Sequence, residues 1–205
     1  IPYPSDALPV ARDIPTPNGN IRAYEWGPTT GRKVLFIHGI STPCIAFASL
    51  AQLLVERGCR VLLFDLHGRG YSAAPDPAVV RQDMGLWTSQ IFAVLQSSEI
   101  TWIGGDERFT LVGYSMGGGI GASFVSYFPG LVEGLVLIAP GGLLRHSRIA
   151  RSSKVLYSGL LPSRLVEFLV GRRLRGSPAP PKPRASDDEK KTIPEAAEAE
   201  VRSHP

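Results

Sequence analysis

The sequence predicts an α/β fold, a mostly parallel sheet flanked by helices, on two observations. Short unbroken apolar runs, VLFI at 34–37 and VLLF at 61–64 among them, alternate with longer segments whose apolar residues recur at helical spacing. Strands that are apolar at every position suit burial on both faces, and parallel strands need a crossover helix between them.

The elements follow in order. Residues 21–26 form a β-prone run closed by Gly27 and Pro28, and residues 34–37 form a second, ending at His38 and Gly39. Thr42 and Pro43 then open a helical segment over 44–57, with Phe47, Leu50, Leu54 and Val55 at helical spacing and Gly58 as its stop. Residues 60–64 are the next buried strand, followed by a turn-rich loop, DLHGRGYS at 65–72. A helix over 81–95 carries Met84, Trp87, Ile91 and Leu95 near a period of about 3.6 residues. A strand at 109–112, a small-faced helix at 116–128 packed tightly on the sheet, and a strand at 135–138 close the series. Right-handed crossovers place the loops that follow the strands along one edge of the sheet, which is where chemistry is expected.

After Pro140 no further strand is predicted. The expected organisation is a core at 1–142, a helical lid segment at 143–176, and a proline-rich linker with a polar tail at 177–205. SPAPPKP at 177–183 cannot propagate a helix.

Composition narrows the function classes. With 43% hydrophobic and 20% charged residues, the chain has the balance of a globular protein with a buried core. The net charge of +4 is unevenly spread: residues 145–184 hold 10 Lys/Arg against 1 acidic residue, whereas residues 1–144 hold 9 against 11. The arginines of the basic block are interleaved with Leu156, Leu160, Leu161, Leu165, Phe168 and Leu169, which reads as amphipathic helices with solvated basic faces rather than a nucleic-acid surface. Cys44 and Cys59 fit neither a disulfide framework nor a zinc spacing, and are expected to be buried, reduced thiols. No apolar run reaches the roughly 18 residues of a membrane span. Residues 1–10 lack the basic start and apolar run of a signal peptide, and the expected compartment is the cytoplasm.

Gly113-Tyr114-Ser115-Met116-Gly117 is a G-x-S-x-G pattern placed directly after a predicted strand and directly before a predicted helix. A strand that turns sharply into a helix strains the residue at the turn, and glycines two positions to either side let the neighbouring backbone pass. Such a turn lifts the Ser115 hydroxyl towards the helix N-terminus, whose free N–H groups favour developing negative charge.

Three segments in this order, VLFIHG at 34–39, DLHGRGYS at 65–72 and LVGYSMGG at 111–118, resemble the α/β-hydrolase superfamily, in its branch of single-domain enzymes with a lid after the sixth strand. The resemblance implies Ser115 as the nucleophile, with oxyanion-hole N–H groups from Ile40 and Met116 and an oxyanion loop shaped by His38 and Gly39. Asp65, Arg69 and Ser72 are read as residues that brace the following loop, although Asp65 as the catalytic acid stays open. The family order is serine, then acid, then histidine. The residues available after Ser115 are Glu133, which precedes a predicted strand, and Glu167, Asp187, Asp188, His146 and His204, none of which follows a strand able to fix it. The triad acid and base are therefore unassigned, and the chain is expected to stop inside or just after the lid, as a piece of a longer protein or a truncated product.

The resulting expectation is a serine hydrolase, carboxylesterase-like, that acts on an ester or other acyl substrate through an acyl-enzyme, with no cofactor or metal. Its partner is a small acyl molecule, partly apolar because one face of the lid is apolar, and not a nucleic acid. Serine at this position argues against epoxide or haloalkane hydrolysis, for which members of the family use aspartate. The alternative is a non-catalytic binding module of the same fold. Substrate identity and oligomeric state are not written in the sequence.

Overall fold

A computed structural model describes residues 3–141. Residue 142, the lid expected at 143–176 and the linker and tail expected at 177–205 lie outside them, as do His146, Glu167, Asp187, Asp188 and His204.

Six strands form one sheet: β1 (Ala11–Ile14), β2 (Ile21–Trp26), β3 (Lys33–Ile37), β4 (Arg60–Phe64), β5 (Phe109–Tyr114) and β6 (Val132–Ile138), in the spatial order β1-β2-β4-β3-β5-β6. β3 pairs in parallel with both β4 and β5, and β5 in parallel with β6. β1 and β2 form an antiparallel hairpin that joins the sheet through β4. The sheet is thus mostly parallel, as expected, with the hairpin as its exception. β1 escaped prediction because ARDI holds two charged residues and buries only Ile14.

Alternation along the central strands explains their unbroken apolar runs. Leu35 and Ile37 of β3 and Leu62 and Phe64 of β4 pack on one face, with α2 (Met84–Gln96) and α3 (Met116–Tyr127). Val34, Phe36, Val61 and Leu63 pack on the other face against Phe47 and Ala51. Ala51 belongs to α1 (Ala48–Glu56), which therefore covers that side. Each such side chain, fully withdrawn from water, contributes about 1.5–3 kcal/mol.

Several boundaries differ from expectation for local reasons. The helix expected from 81 begins at Met84, because the Asp83 carboxylate accepts the N–H groups of Gly85 and Leu86 and caps it there. The segment expected as one helix over 44–57 is a 3-10 turn at Cys44–Phe47 followed by α1. That change of winding turns Leu50 outward to 39% exposure, where the spacing had placed it inside. Cys44 is buried as expected, whereas Cys59 is only partly covered. Glu133, expected ahead of the last strand, is the second residue of β6, where its Oε1 accepts from Thr110 Oγ1. β6 is not buried on both faces: Val136, Leu137 and Ile138 are exposed, since among the described residues β6 has only β5 beside it. No helix among the described residues is long and apolar enough to cross a membrane.

In β2, Glu25 is a buried charge paired with two arginines. Its carboxylate accepts from Trp102 Nε1 at 3.0 Å and Ser98 Oγ at 2.8 Å, and pairs with Arg12 at 2.7 Å and Arg60 at 3.1 Å. Burial pushes its pKa up, but the hydrogen bonds from Trp102, Ser98 and Arg12 outweigh burial and hold it below the ordinary glutamate value. Glu25 therefore adds stability above about pH 4.3, lost as the pH falls through its lowered folded value. Glu25→Gln is expected to cost about 2 kcal/mol at pH 7, because two arginines with restricted access to water lose their counter-charge. Urea unfolding should show a lower midpoint with an unchanged m-value, and a shallower loss of stability below pH 4.3.

Candidate active site

β5 ends at Tyr114 and α3 begins at Met116, so a single residue, Ser115, makes the turn between them. Its φ of 51° and ψ of −117° lie where an L-residue is strained by about 1–3 kcal/mol. Its half-buried side chain has no hydrogen-bond partner among the described residues, while its backbone is fixed on both sides. Ser115 N–H donates to the Ile138 carbonyl at 3.0 Å, and the Ser115 carbonyl accepts from Gly118 at 3.0 Å and Gly141 at 2.6 Å.

The two glycines of the motif are required by close backbone approach. A Cβ on Gly113 would stand 2.6 Å from the Gly117 carbonyl oxygen, and one on Gly117 would stand 2.1 Å from the Ile37 carbonyl oxygen and 2.5 Å from that of His38. The elbow is consequently pressed against the end of β3 and the loop that follows it. Gly39 packs on its other side, where a Cβ would meet the Tyr114 ring at 3.1 Å and Ser115 Cβ at 3.2 Å.

His38 is fully buried beneath this loop, and both ring nitrogens are engaged. Nε2 accepts the Leu66 N–H at 2.8 Å, so the proton sits on Nδ1, which donates to the Gly39 carbonyl at 2.7 Å. Drawing the Gly39 carbonyl towards the imidazole turns the other side of the same peptide, the Ile40 N–H, away from it. Ile40 itself is 58% exposed. At the elbow, Met116 is the first residue of α3, so its N–H has no acceptor within the helix. The structure thus brings Ser115, Gly39, Ile40, Met116 and His38 to one edge of the sheet, and His38 has no nitrogen left to serve as a base.

The loop after β4 supports the same edge. Asp65 is fully buried and accepts from Cys44 N–H, Tyr71 N–H and Tyr3 OH, at 2.8–2.9 Å. Ser72 Oγ donates to the Asp65 carbonyl and accepts the Arg22 N–H. Arg69 Nε donates to the Ile40 carbonyl at 2.9 Å, tying this loop to the one that carries His38. The bracing role of Asp65, Arg69 and Ser72 is visible in these bonds, and no described histidine hydrogen-bonds the Asp65 carboxylate. Burial, and next the nearby charge of Asp65, pushes the Cys44 thiol up, so it stays protonated. Sequence reasoning missed Tyr3, Leu66 and Gly141: two act through backbone groups, and Tyr3 reaches Asp65 across 62 residues of chain, so none leaves a local pattern.

Two histidines supply a pH dependence. Burial lowers the pKa of His38, against hydrogen bonding to Gly39, and lowers that of His67, against hydrogen bonding to Ala73. Both are neutral in the fold, so their contribution is complete above the ordinary value of about 6.5 and is lost as the pH falls below it, where only the unfolded chain takes up the proton. The slope is up to about 1.4 kcal/mol per pH unit for each histidine. Urea midpoints measured from pH 8 to pH 5 are expected to be flat down to about 6.5 and then to fall; a flat profile to pH 5 would show that these rings are not held neutral.

Among the described residues no three His, Cys, Asp or Glu side chains gather where they could hold a metal ion. The model of the alpha/beta hydrolase fold matches residues 33–159, more than half of the chain. The chain belongs to the α/β-hydrolase family. Among relatives of this α/β hydrolase, a serine hydrolase-like protein of Danio rerio is 31% identical over 132 residues, which are 64% of this chain and 38% of that protein. A thioesterase domain from the curacin biosynthetic pathway is 26% identical with a TM-score of 0.58, over 72% of this chain and 52% of that one. An esterase of Exiguobacterium antarcticum is 27% identical with a TM-score of 0.54, over 64% of this chain and 46% of that one. The chain therefore spans about two fifths of the length of the serine hydrolase-like relative.

Proposed function

We propose that this chain is the nucleophile-bearing part of a serine hydrolase that cleaves an ester or thioester through an acyl-enzyme on Ser115. The observation that carries the reading is the strained backbone of Ser115, φ 51° and ψ −117°, at a turn walled by Gly113 and Gly117. A fold keeps such strain where the conformation itself is needed, and here it exposes one hydroxyl beside the first N–H of a helix. In this reading the Ser115 oxygen attacks the acyl carbon, and the N–H groups of Ile40 and Met116 hold the oxyanion. His38 is a positioning residue, which aims the Ile40 N–H through the Gly39 carbonyl. The general base and its acid come from outside the described residues, with a lid at 143–176 and a linker at 177–205. The relatives called a thioesterase and an esterase are consistent with acyl transfer.

A second reading, a non-catalytic module of the same fold, is favoured by one observation: no described histidine or carboxylate hydrogen-bonds the Ser115 hydroxyl. Mixing the natural full-length protein with p-nitrophenyl butyrate separates the two. An acyl-enzyme mechanism gives a burst of nitrophenol and a butyryl mass increment on the peptide holding Ser115. Steady release without a burst and without an adduct under acid quench sinks the acyl-enzyme on Ser115, and no release at all favours the non-catalytic module.

A further inference from the structure

We propose that Tyr3 is a positioning residue for the hydrolysis, which through Asp65 fixes the loop that presents the Ile40 N–H. This rests on the reading of Ser115 as the nucleophile. The Tyr3 hydroxyl, ahead of β1, stands 2.8 Å from Asp65 Oδ2, 2.8 Å from the Tyr24 hydroxyl and 3.3 Å from Cys44 Sγ. A phenol has one proton to give. Burial, and next the Cys44 thiol, pushes its pKa up, so the proton stays on the oxygen and goes to the carboxylate, which can only accept. Tyr24 and the Cys44 thiol are then the donors in the other two contacts.

Asp65 depends on that proton. No described cation lies within ion-pairing distance of its carboxylate. Its other two hydrogen bonds come from backbone, the Cys44 N–H on Oδ1 and the Tyr71 N–H on Oδ2. The loop closes over the carboxylate so tightly that a Cβ on Gly70 would stand 2.0 Å from Oδ2. A buried carboxylate without a counter-ion is tolerated only while hydrogen bonds replace its water, and Tyr3 gives the one side-chain bond of the three.

These bonds reach the site by two routes. Cys44 closes the loop that begins at His38, and Asp65 fixes that end of it. Tyr71 and Arg69 share the loop after β4. The Tyr71 hydroxyl donates to the Tyr3 carbonyl and its ring meets that of Tyr3 edge-on at 5.2 Å, while Arg69 Nε holds the Ile40 carbonyl. Tyr3 thus braces both the end of the loop that carries Ile40 and the loop that grips Ile40. The residue before Ile40, Gly39, packs on Ser115, so a shift here moves the oxyanion donor relative to the nucleophile. Backbone strain marks the same segment. Val10, 67% exposed, turns between it and β1 with φ 51°, which β-branched residues avoid. Leu8, buried in the cluster that holds Phe36 and Phe47, and Ala11, paired with Tyr24, hold the two sides of that turn.

The test follows hydrolysis of p-nitrophenyl butyrate by the natural full-length protein and by Tyr3→Phe, which keeps the ring and removes the oxygen. Tyr3→Phe is expected to lower kcat by about 10- to 100-fold with KM unchanged, because the loss falls on the oxyanion donor rather than on substrate contacts. Glu25→Gln, which lowers stability from a cluster with Arg12, Arg60 and Trp102, should keep the wild-type kcat. Amide hydrogen exchange in Tyr3→Phe should quicken by about 10-fold or more at residues 39–45 and 66–72 and stay unchanged at residues 34–37. An unchanged kcat in Tyr3→Phe overturns the proposal, and so does an equal fall in Glu25→Gln, which traces the loss to stability alone. If the wild type does not hydrolyse the ester, the reading of Ser115 has failed by itself, and exchange decides. Quickening confined to the two loops sustains the bracing by Tyr3, whereas exchange that is unchanged, or quickened throughout, removes it.

Discussion

Ser115→Ala, made in the natural full-length protein, is expected to lower ester turnover by about 10⁴-fold or more without moving the thermal midpoint. The two effects separate because the hydroxyl makes no hydrogen bond to a described residue, while the backbone strain at φ 51° is the same for alanine as for serine. Ser115→Gly sharpens the test. It loses turnover to the same extent, but glycine adopts φ 51° without a Cβ penalty, so the variant should gain about 1 kcal/mol of stability after its larger unfolded-state entropy is subtracted. For a chain of this size that gain is about 2–4 °C in Tm. A rise in Tm on losing the hydroxyl would identify residue 115 as a place where stability is given up for function. Retained turnover in Ser115→Ala would remove Ser115 from the mechanism.

Gly117→Ala is expected to be strongly damaging. Its Cβ would meet two backbone carbonyl oxygens, at 2.1 and 2.5 Å, and both belong to the end of β3 and the turn after it. Flexible side chains can move aside from such a contact, but Ile37 is held in the sheet by β5 and His38 by the Leu66 N–H. Relief requires the elbow and the 38–40 loop to part. The cost is about 3 kcal/mol or more, at the upper end of what overpacking does. Whatever folded population survives should also lose turnover, because parting the two loops separates Ile40 from Met116. A soluble variant with unchanged urea midpoint would show that the close approach of these segments is not what holds the elbow.

The central strands and the elbow were legible in the sequence because local and global signals agree there. β2 and β4 were expected with their observed bounds, since each apolar residue is buried by a helix on one face or the other, and the alternation is erased. The glycines at 113 and 117 state directly that backbone passes where a side chain cannot. β1 was not legible, because only Ile14, opposite Ile21, is buried, and the strand is defined by its pairing with β2 rather than by its own composition. The exposed Leu50 shows the same limit: spacing within 44–57 assumed one continuous helix, and the 3-10 turn before Ala48 shifted the phase.

At the candidate site, the sequence singled out residues but not their couplings. His38 stood out as a conspicuous histidine, yet its state depends on a backbone N–H 28 residues away and on the carbonyl beside it. Arg69 was read as one of a bracing set, and it does brace. That its Nε holds the Ile40 carbonyl depends on two loops meeting across 29 residues of chain, which no window of sequence contains.

The most direct measurement is covalent labelling of the natural full-length protein with a fluorophosphonate, followed by digestion and mass mapping of the adduct. An activated serine reacts and an ordinary serine hydroxyl does not, so the account predicts one phosphonyl group per chain, on Ser115, absent from Ser115→Ala. An adduct on another residue, or an unlabelled Ser115 under conditions that fully modify a known serine hydrolase, would contradict it.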